Sequence, residues 1–431
     1  MKIAIIGSGI AGNVAAYHLN KQHDITLFEQ NSHIGGHTHT HVIEDVAGDL
    51  NIDTGFIVLN DRTYPNFNRL LEQLDVDIQM TEMSFSIKCE HSGLEYNGNN
   101  LNTLFAQRRN IFSPVFYRMI SDILRFNREA TESIDNTDMD HSLGDFLRNG
   151  NYSDIFINKY IVPMGAAIWS TKPQDMFSFP AAFFFRFFLN HGLLSINNRP
   201  QWYVIKGGSS SYVKKLVNGF EDRIRTNCPV KNIVRHDDHV EIHTTSHGIE
   251  RFDYVFIASH SDQALSMLQH PSYEERETLS AIEYQKNEAV LHSDSSLLPV
   301  SKKAWASWNY HIPKDTRSDV ALTYNMNILQ GLKTDNTYCV TLNYSDQIDQ
   351  KKILKTIEYD HPIFTPRSMI AQDNHRLING TGRTYYCGAY WRNGFHEDGV
   401  VSALTALEHF TQDISKQEIS NEEKLSLRWA S

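Results

Sequence analysis

The first thirty residues constrain the fold more than any other stretch. Lys2-Ile3-Ala4-Ile5-Ile6 is a short apolar, β-branched run, the pattern of a buried parallel strand. Gly7-Ser8-Gly9-Ile10-Ala11-Gly12 follows at once, and Asn13-Val14-Ala15-Ala16-Tyr17-His18-Leu19 then has helical composition. A second strand, Asp24-Ile25-Thr26-Leu27-Phe28, ends in Glu29, twenty residues past Gly9. Strand, glycine turn, helix, second strand and terminal acid in this register predict a dinucleotide-binding β-α-β unit. Gly7 permits the tight turn, Gly9 lets backbone approach a pyrophosphate, and Gly12 lets helix and strand pack closely. The helix N-terminus offers free N–H groups and partial positive charge to phosphates. Glu29 is placed for the ribose hydroxyls, which disfavours a 2′-phosphate and argues against NADP.

A chain of 431 residues exceeds one compact core and predicts two domains. Its net charge of -11 speaks against a nucleic-acid partner, which needs a basic face. The four cysteines, Cys89, Cys228, Cys339 and Cys387, are scattered without a CxxC pair, as in a reduced cytoplasmic protein. The N-terminus enters the first strand directly, leaving no room for a signal peptide, and no apolar run reaches the length of a membrane span.

After Glu29 come Gln30 and then Gly35-Gly36-His37-Thr38, followed by Asp53-Thr54-Gly55-Phe56. A second glycine pair this soon after the ribose acid suits the ribityl and pyrophosphate of a flavin. Near the C-terminus, Thr384-Tyr385-Tyr386-Cys387-Gly388 is a strand ending in Gly, and Gly394-Phe395-His396-Glu397-Asp398-Gly399 leads into a helix. With these motifs the chain resembles the flavin-containing amine oxidase superfamily over nearly its whole length. His37 stands where many relatives carry a basic residue and Ala389 where many have an acid. The first departure and the Gly394-Phe395-His396-Glu397-Asp398-Gly399 motif point to a bacterial subgroup of predicted NAD/FAD-binding oxidoreductases. The resemblance implies FAD, held by Gly7, Gly9, Ile10, Ala11, Gly12, Glu29, Gln30, Gly35, Gly36, His37, Thr38, Thr54, Gly55 and Phe56. Val230 would meet the adenine, and Gly388, Gly394, His396, Glu397 and Asp398 the ribityl and pyrimidine end. It also implies an interleaved substrate domain.

His37, His39 and His41 alternate, which on a strand places three imidazoles on one face. No carboxylate or thiolate lies nearby in sequence, so no metal is expected. Phe179-Pro180-Ala181-Ala182-Phe183-Phe184-Phe185-Arg186-Phe187-Phe188 has six phenylalanines. As a helix it is apolar nearly all round except at Arg186, so it forms either an aromatic core or the wall of an apolar, membrane-facing pocket. Arg186 is a candidate for a carboxylate or phosphate head group. His260 and Asp262, after the strand 252–258, are expected to cap the next helix. Runs between 282 and 370 read as strands of an antiparallel sheet, one face of which would lie over the flavin; Trp308, Tyr310, Tyr324 and Asn325 are candidates for that face. No lysine could be placed as the flavin-facing one that amine oxidases often carry.

These readings predict an α/β protein with a Rossmann-like FAD-binding domain (1–60, 200–281 and 371–431) and an interleaved α+β substrate domain (61–199 and 282–370). The expected activity is hydride removal from an apolar small molecule, an unsaturated fatty acyl lipid, by desaturation or double-bond isomerisation. Relatives of the subgroup tend to be encoded beside cyclopropane-fatty-acid-synthase-like proteins, which motivates the lipid. A flavin amine oxidase is the enzyme alternative, and a lipid-binding partner protein with structural FAD the non-enzyme one. The expected location is the cytoplasm, with peripheral contact to the inner face of the membrane. No single catalytic side chain stands out.

Overall fold

The computed structural model describes residues 1–134, 141–195, 197, 199–314 and 320–428, with side chains described as far as 417. Its N-terminal strand, Lys2–Ile6, is central in a five-stranded parallel sheet ordered Ile224–Arg225, Asp24–Phe28, Lys2–Ile6, Tyr254–Ile257, Thr384–Tyr386. Parallel neighbours need crossover connections. The first is the helix Ile10–Leu19. The sheet is covered on both faces, which explains its unbroken apolar runs. Ile3 and Ile5 point to the helices Ile10–Leu19, Ser210–Val217 and His396–Arg428. Ala4 and Ile6 point the other way, to an antiparallel meander of Val230–Arg235, Val240–Thr244 and Gly248–Phe252.

A seven-stranded sheet forms the second layer, ordered Ile353–Ile363, Glu283–His292, Cys339–Leu342, Ala321–Asn325, Trp308–Ile312, Phe85–Cys89, Leu94–Asn97. It is mixed rather than antiparallel throughout: Trp308–Ile312 pairs parallel to Phe85–Cys89. No hairpin links those two strands, so nothing local imposes antiparallel pairing. Ala304 and Trp305 fall in and after a short 3₁₀ turn, Lys302–Ala304, ahead of the strand Trp308–Ile312. Helices Pro114–Ser133, Val162–Trp169 and Ala181–Asn190 bury their apolar faces in the core of this sheet. A small sheet of Val58–Asn60, Trp202–Ile205 and Ile78–Thr81 lies where the chain passes between the two layers. The helix Pro65–Gln73 packs with the parallel sheet, since Phe67, Leu70 and Leu71 share a core with Ile3 and Ile5.

The phenylalanine run forms the helix Ala181–Asn190, and its apolar surface is spent inside the protein. Only Arg186, Leu189 and Asn190 are exposed. Phe184 stacks on Phe188 at 4.0 Å, and Phe185 meets Phe146 and Phe126 edge-on. Close approach depends on Gly165, where a Cβ would stand 2.9 Å from the Phe184 ring and 2.6 Å from Met176. Among the described residues no helix is long and apolar enough to cross a membrane.

Truncating Phe184 removes a fully buried ring, so Phe184→Ala should lower unfolding free energy by about 3–5 kcal/mol. Arg186→Ala should change it by less than about 0.5 kcal/mol. Denaturant unfolding of the two variants checks the contrast.

Candidate active site

The sequence motifs from both chain ends converge at the carboxyl end of the central parallel strand. Gly7 has φ +100°, and a Cβ there would lie 2.9 Å from the Ala258 carbonyl oxygen. A Cβ on Gly12 would lie 1.9 Å from the Gly7 carbonyl oxygen, so only glycine lets the helix sit this close to its strand. The second glycine pair rests on the first: a Cβ on Gly36 would be 3.0 Å from Gly9 Cα. Gly55 crosses His37 with the same closeness, 2.1 Å from a Cβ to the His37 carbonyl oxygen. Gly9 is different, because a Cβ there would meet nothing within 4 Å. Its outward side is open beside the helix N-terminus formed by Ile10 and Ala11.

Glu29 is buried at the end of its strand. Its Oε2 accepts from Ser8 N at 2.9 Å and Ser8 Oγ at 2.6 Å, and Oε1 accepts from Asn31 N at 2.8 Å. An ionised carboxylate can accept about four hydrogen bonds, so Oε1 retains capacity for a hydroxyl. Gln30 beside it is exposed. Val230 opens the strand next to this loop, which is tied in by the Cys228 N–H donating to the Glu29 carbonyl at 2.8 Å.

The C-terminal signature closes over the glycines. Gly388 N donates to Ser402 Oγ at 2.8 Å, and Gly394 turns at φ +89° against Phe364. His396 opens the long helix, stacked on Phe56 at 3.8 Å and bonded through Nε2 to the Tyr212 hydroxyl at 2.7 Å. Tyr212 in turn shares a 2.7 Å hydrogen bond with Thr38. Burial pushes His396 down to about 3, so it is neutral. Glu397 turns away from the helix end and caps a neighbour: it accepts from Asn66 N at 3.1 Å and Phe67 N at 2.8 Å, at the start of Pro65–Gln73. Asp398 is buried and pushed up to about 6, against a 2.9 Å hydrogen bond from Phe395 N.

The alternating histidines do not form one face. His33 and His39 stack at 4.0 Å, and His41 packs on His39 at 4.1 Å. His37 points elsewhere, toward His361 at 5.5 Å, His260 at 6.3 Å and Tyr359, on which it stacks at 4.8 Å. Tyr359 also shares a 2.9 Å hydrogen bond with Thr54. His37 Nε2 is buried without a hydrogen-bond partner. Burial holds His37 well below its ordinary range, and neighbouring His361, His260 and His396 add to this; burial likewise takes His361 down to about 4. His260 holds the N-cap position of Ser261–Met267 but makes no side-chain cap bond. An imidazole is a poor substitute for a short oxygen acceptor, and the ring stacks on Tyr284 at 4.4 Å instead. Asp262 only reaches the adjacent Gln263 N, at 2.8 Å.

From this cluster a line of contacts enters the second sheet. His361 pairs with Gln285 across two strands, and Gln285 Nε2 donates to the Ser170 carbonyl at 3.2 Å. Trp308 meets Tyr324 edge-on at 5.2 Å. Asn325, by contrast, accepts from Ile328 N and caps a short helix. Two residues along from Trp308, Tyr310 lines a cavity of about 950 Å³ walled by Phe116, Val162, Phe177 and Ile312, with Arg109 and Lys159 among its lining. Lys159 sits in a π-helical turn, Ile157–Ile161. Trp308, Tyr324 and Arg186 are not part of that lining, nor is any of the glycines or histidines above.

An open phosphate-sized face at Gly9, a glycine cradle and an orphaned buried nitrogen at His37 fit a dinucleotide cofactor. The architecture is that of a flavin-type oxidoreductase with a Rossmann-like half. The sequence profile of flavin-containing amine oxidoreductases matches residues 10–293, and the chain belongs to that family. Its cofactor is FAD. No curated protein matches it in sequence. Among solved structures, cyclohexylamine oxidase from Brevibacterium oxydans IH-35A is similar at TM-score 0.70 and 13% identity, covering 96% of this chain and 99% of that one. A fatty acid isomerase from P. acnes that produces CLA is similar at 0.67 and 16%, covering 95% and 98%. Putrescine oxidase bound to putrescine matches at 0.67 and 12%, covering 95% and 99%.

Sequence reasoning did not single out Ser8, Tyr212, His361, Tyr359, Arg109 or Lys159. Only Ser8 lay inside a motif given above, and its hydroxyl beside the glycine turn was the available signal.

Two measurements test this site. Gly9→Ala adds a methyl that the protein accommodates at φ -64°, so apo-protein stability should fall by less than about 1 kcal/mol. Flavin affinity should drop at least about tenfold, because the methyl enters the phosphate face. Asp398, with its pKa raised by folding, binds a proton more tightly folded than unfolded. Its contribution therefore falls as pH rises from about 4 to about 6 and stays low above that. The stability of Asp398→Asn relative to wild type should rise across the same window, by up to about 3 kcal/mol.

Proposed function

We propose that this FAD-dependent oxidoreductase acts on an unsaturated fatty acyl substrate, by desaturation or by double-bond isomerisation. The observation that carries the reading is the cavity of about 950 Å³, which joins aromatic and aliphatic walls to two cations, Arg109 and Lys159. The strand Trp308–Ile312 runs from the cofactor-side aromatics to that cavity, a span of roughly 13 Å at about 3.3 Å per residue. An acyl chain lying along Tyr310 and Trp308 would keep its carboxylate with Arg109 and Lys159 and bring mid-chain carbons to the cofactor. The head-group contact thus moves to these two residues from Arg186, which is exposed and outside the cavity lining.

The glycines 7, 9, 12, 35, 36 and 55, with Glu29, Thr38, Val230, Gly388 and the His396 helix end, hold the cofactor in this proposal. The cofactor domain comprises 1–60, 200–281 and 371–431, and the substrate domain 61–199 and 282–370, with the helix Pro65–Gln73 packed on the cofactor side. Bound FAD supplies a two-electron hydride acceptor. Around it the protein offers hydrogen-bonding imidazoles held neutral, at His37, His361 and His396, and an aromatic wall in which Phe183 stacks on Phe364 and Phe187 on Phe395. Such a lining favours an uncharged C–H bond over a protonated amine, which would find Glu397 already engaged in capping. The fatty acid isomerase and the amine oxidases share this fold, so the lining and not the fold separates the two readings. Desaturation consumes an external electron acceptor, whereas isomerisation returns the hydride to the chain and needs none.

Membrane contact fits a surface other than the phenylalanine helix. Leu101, Phe112 and Val115 are 75%, 86% and 60% exposed, close in sequence to Arg108 and to Arg109, which lines the cavity. An apolar patch with a basic edge suits anionic lipid.

Anaerobic addition of linoleic acid should bleach the flavin band near ~450 nm or yield a product with a shifted double bond. Bleaching by cyclohexylamine or putrescine instead would establish the amine reading. Persistence of the band with every substrate, with no product formed, would leave the cofactor structural. Arg109→Ala and Lys159→Ala should each raise KM for the free acid about 10- to 100-fold, with little change in kcat. Phe112→Asp should abolish co-sedimentation with anionic vesicles and leave turnover of soluble acid intact.

A further inference from the structure

The meander behind the parallel sheet carries a cluster that the cofactor chemistry does not use. Its first hairpin joins Val230–Arg235 to Val240–Thr244 through a turn closed by His236 N donating to the His239 carbonyl at 2.9 Å. Alternation along the second strand sends Val240 and Ile242 into the core and Glu241 and His243 to the outer face. His239, two residues before Glu241, lies on the same side. The turn then folds His236 back onto it, the two rings stacked at 4.3 Å.

We propose that His236, His239 and Glu241, assisted by His243, bind one divalent transition-metal ion of the zinc class at the tip of this hairpin. All three imidazoles turn Nε2 toward the same carboxylate: His236 is 3.7 Å from Glu241 Oε2, His239 is 3.6 Å from Oε1, and His243 is 3.4 Å from Oε2. The ligand atoms of His236, His239 and Glu241 all lie within 4.8 Å of one another. Two donors on one tetrahedral zinc ion, at about 2.0–2.1 Å each, are about 3.3 Å apart, so small side-chain rotations complete the geometry. Imidazole nitrogen with a single carboxylate suits zinc better than calcium or magnesium, which prefer all-oxygen sites.

A second observation concerns His239 alone. Its Nδ1 is 2.7 Å from Asp238 Oδ1, while its Nε2 is buried without a hydrogen-bond partner. A carboxylate that accepts the Nδ1–H hydrogen bond leaves the Nε2 lone pair bare for an ion, the arrangement that supports histidine ligands in metal sites. Arg251 is the competitor. Its Nε stands 3.6 Å from Glu241 Oε1, but its side chain is 73% exposed and can swing into solvent. A bound ion would clip the turn to its strand. The same turn is tied to the parallel sheet by Arg383, whose Nε donates to the Asp237 carbonyl at 2.9 Å.

The test uses FAD-loaded protein stripped with EDTA, titrated with Zn²⁺ by calorimetry and with Co²⁺ by visible absorption. One saturating equivalent and a tetrahedral cobalt spectrum are expected. His239→Ala and Glu241→Gln should each weaken binding at least about tenfold, and Asp238→Asn about 10- to 100-fold. Arg251→Ala should tighten it. These side chains are all on the outer face, and unfolding midpoints in EDTA equal to wild type verify that the variants fold. Absence of a saturating equivalent would overturn the proposal. So would equal affinity in wild type, His239→Ala and Glu241→Gln, which would put the ion on other histidines among the 21 of the chain.

Discussion

Everything in this structure depends on how closely backbone can approach backbone at the end of the first strand. Gly12 lies against the Gly7 carbonyl, Gly36 against Gly9, and Gly55 against His37, each where a methyl would collide. Gly399 extends the crossing to the other chain end, since its Cβ would lie 2.6 Å from the Ile10 side chain. The parallel sheet could form with bulkier residues, because its strands are held by ladders and two apolar faces. What could not form is the shared point at which helix Ile10–Leu19, the Gly35-Gly36 loop and helix His396–Arg428 meet. The open side of Gly9 is the remainder of that packing, a gap beside a helix N-terminus of the kind that suits phosphate.

A second constraint ties the two layers together through a buried acid. Asp53 is fully buried and accepts from Ser209 N, Ser209 Oγ, Thr40 Oγ1 and Gln330 Nε2, while its own N–H donates to Gln330 at 3.0 Å. Burial pushes its pKa up to about 6 despite those donors. A buried carboxylate without them would cost several kcal/mol, so the hydrogen bonds offset desolvation more than they add stability. Their effect is positional. Gln330 follows Ala321–Asn325 of the seven-stranded sheet, Ser209 opens a helix packed on the parallel sheet, and Asp53 ends the strand leading to Thr54 and Gly55. The aromatic helix makes the corresponding link on the apolar side, through Phe364 and Phe395.

The N-terminal unit and the C-terminal signature were legible because each is local: glycine spacing, apolar runs and a terminal acid lie within a few turns of one another. The strand Ile353–Ile363 was not legible. It alternates charged and apolar residues, contains Pro362, and lies on the edge of its sheet, where a proline and exposed charges are tolerated. Missing it hid Tyr359 and His361. Arg109 and Lys159 were illegible for another reason: fifty residues apart, in irregular turns, they converge only once the helices pack on the sheet. His260 was read as a cap from its position alone. That reading failed because the neighbouring Tyr284 ring gives the imidazole a better partner than an amide.

Histidine shows most clearly how placement decides chemistry in this protein. Beside the glycine cradle, no carboxylate pairs with His37, His361 or His396 among the described residues, so desolvation sets their state and they are neutral. On the meander, His236, His239 and His243 all turn toward one glutamate, and the shared acid organises the rings. Alternation along a strand drew attention to the first group, where the fold separates His37 from His39 and His41. The same alternation in His239-Val240-Glu241-Ile242-His243 went unremarked, yet there the pleat keeps the residues together and a four-residue turn adds one more ligand. A period-two pattern assembles side chains only where the chain is a regular strand. The segment 37–39 precedes its strand, Thr40–Ile43, and is shaped by contact with glycines rather than by a ladder.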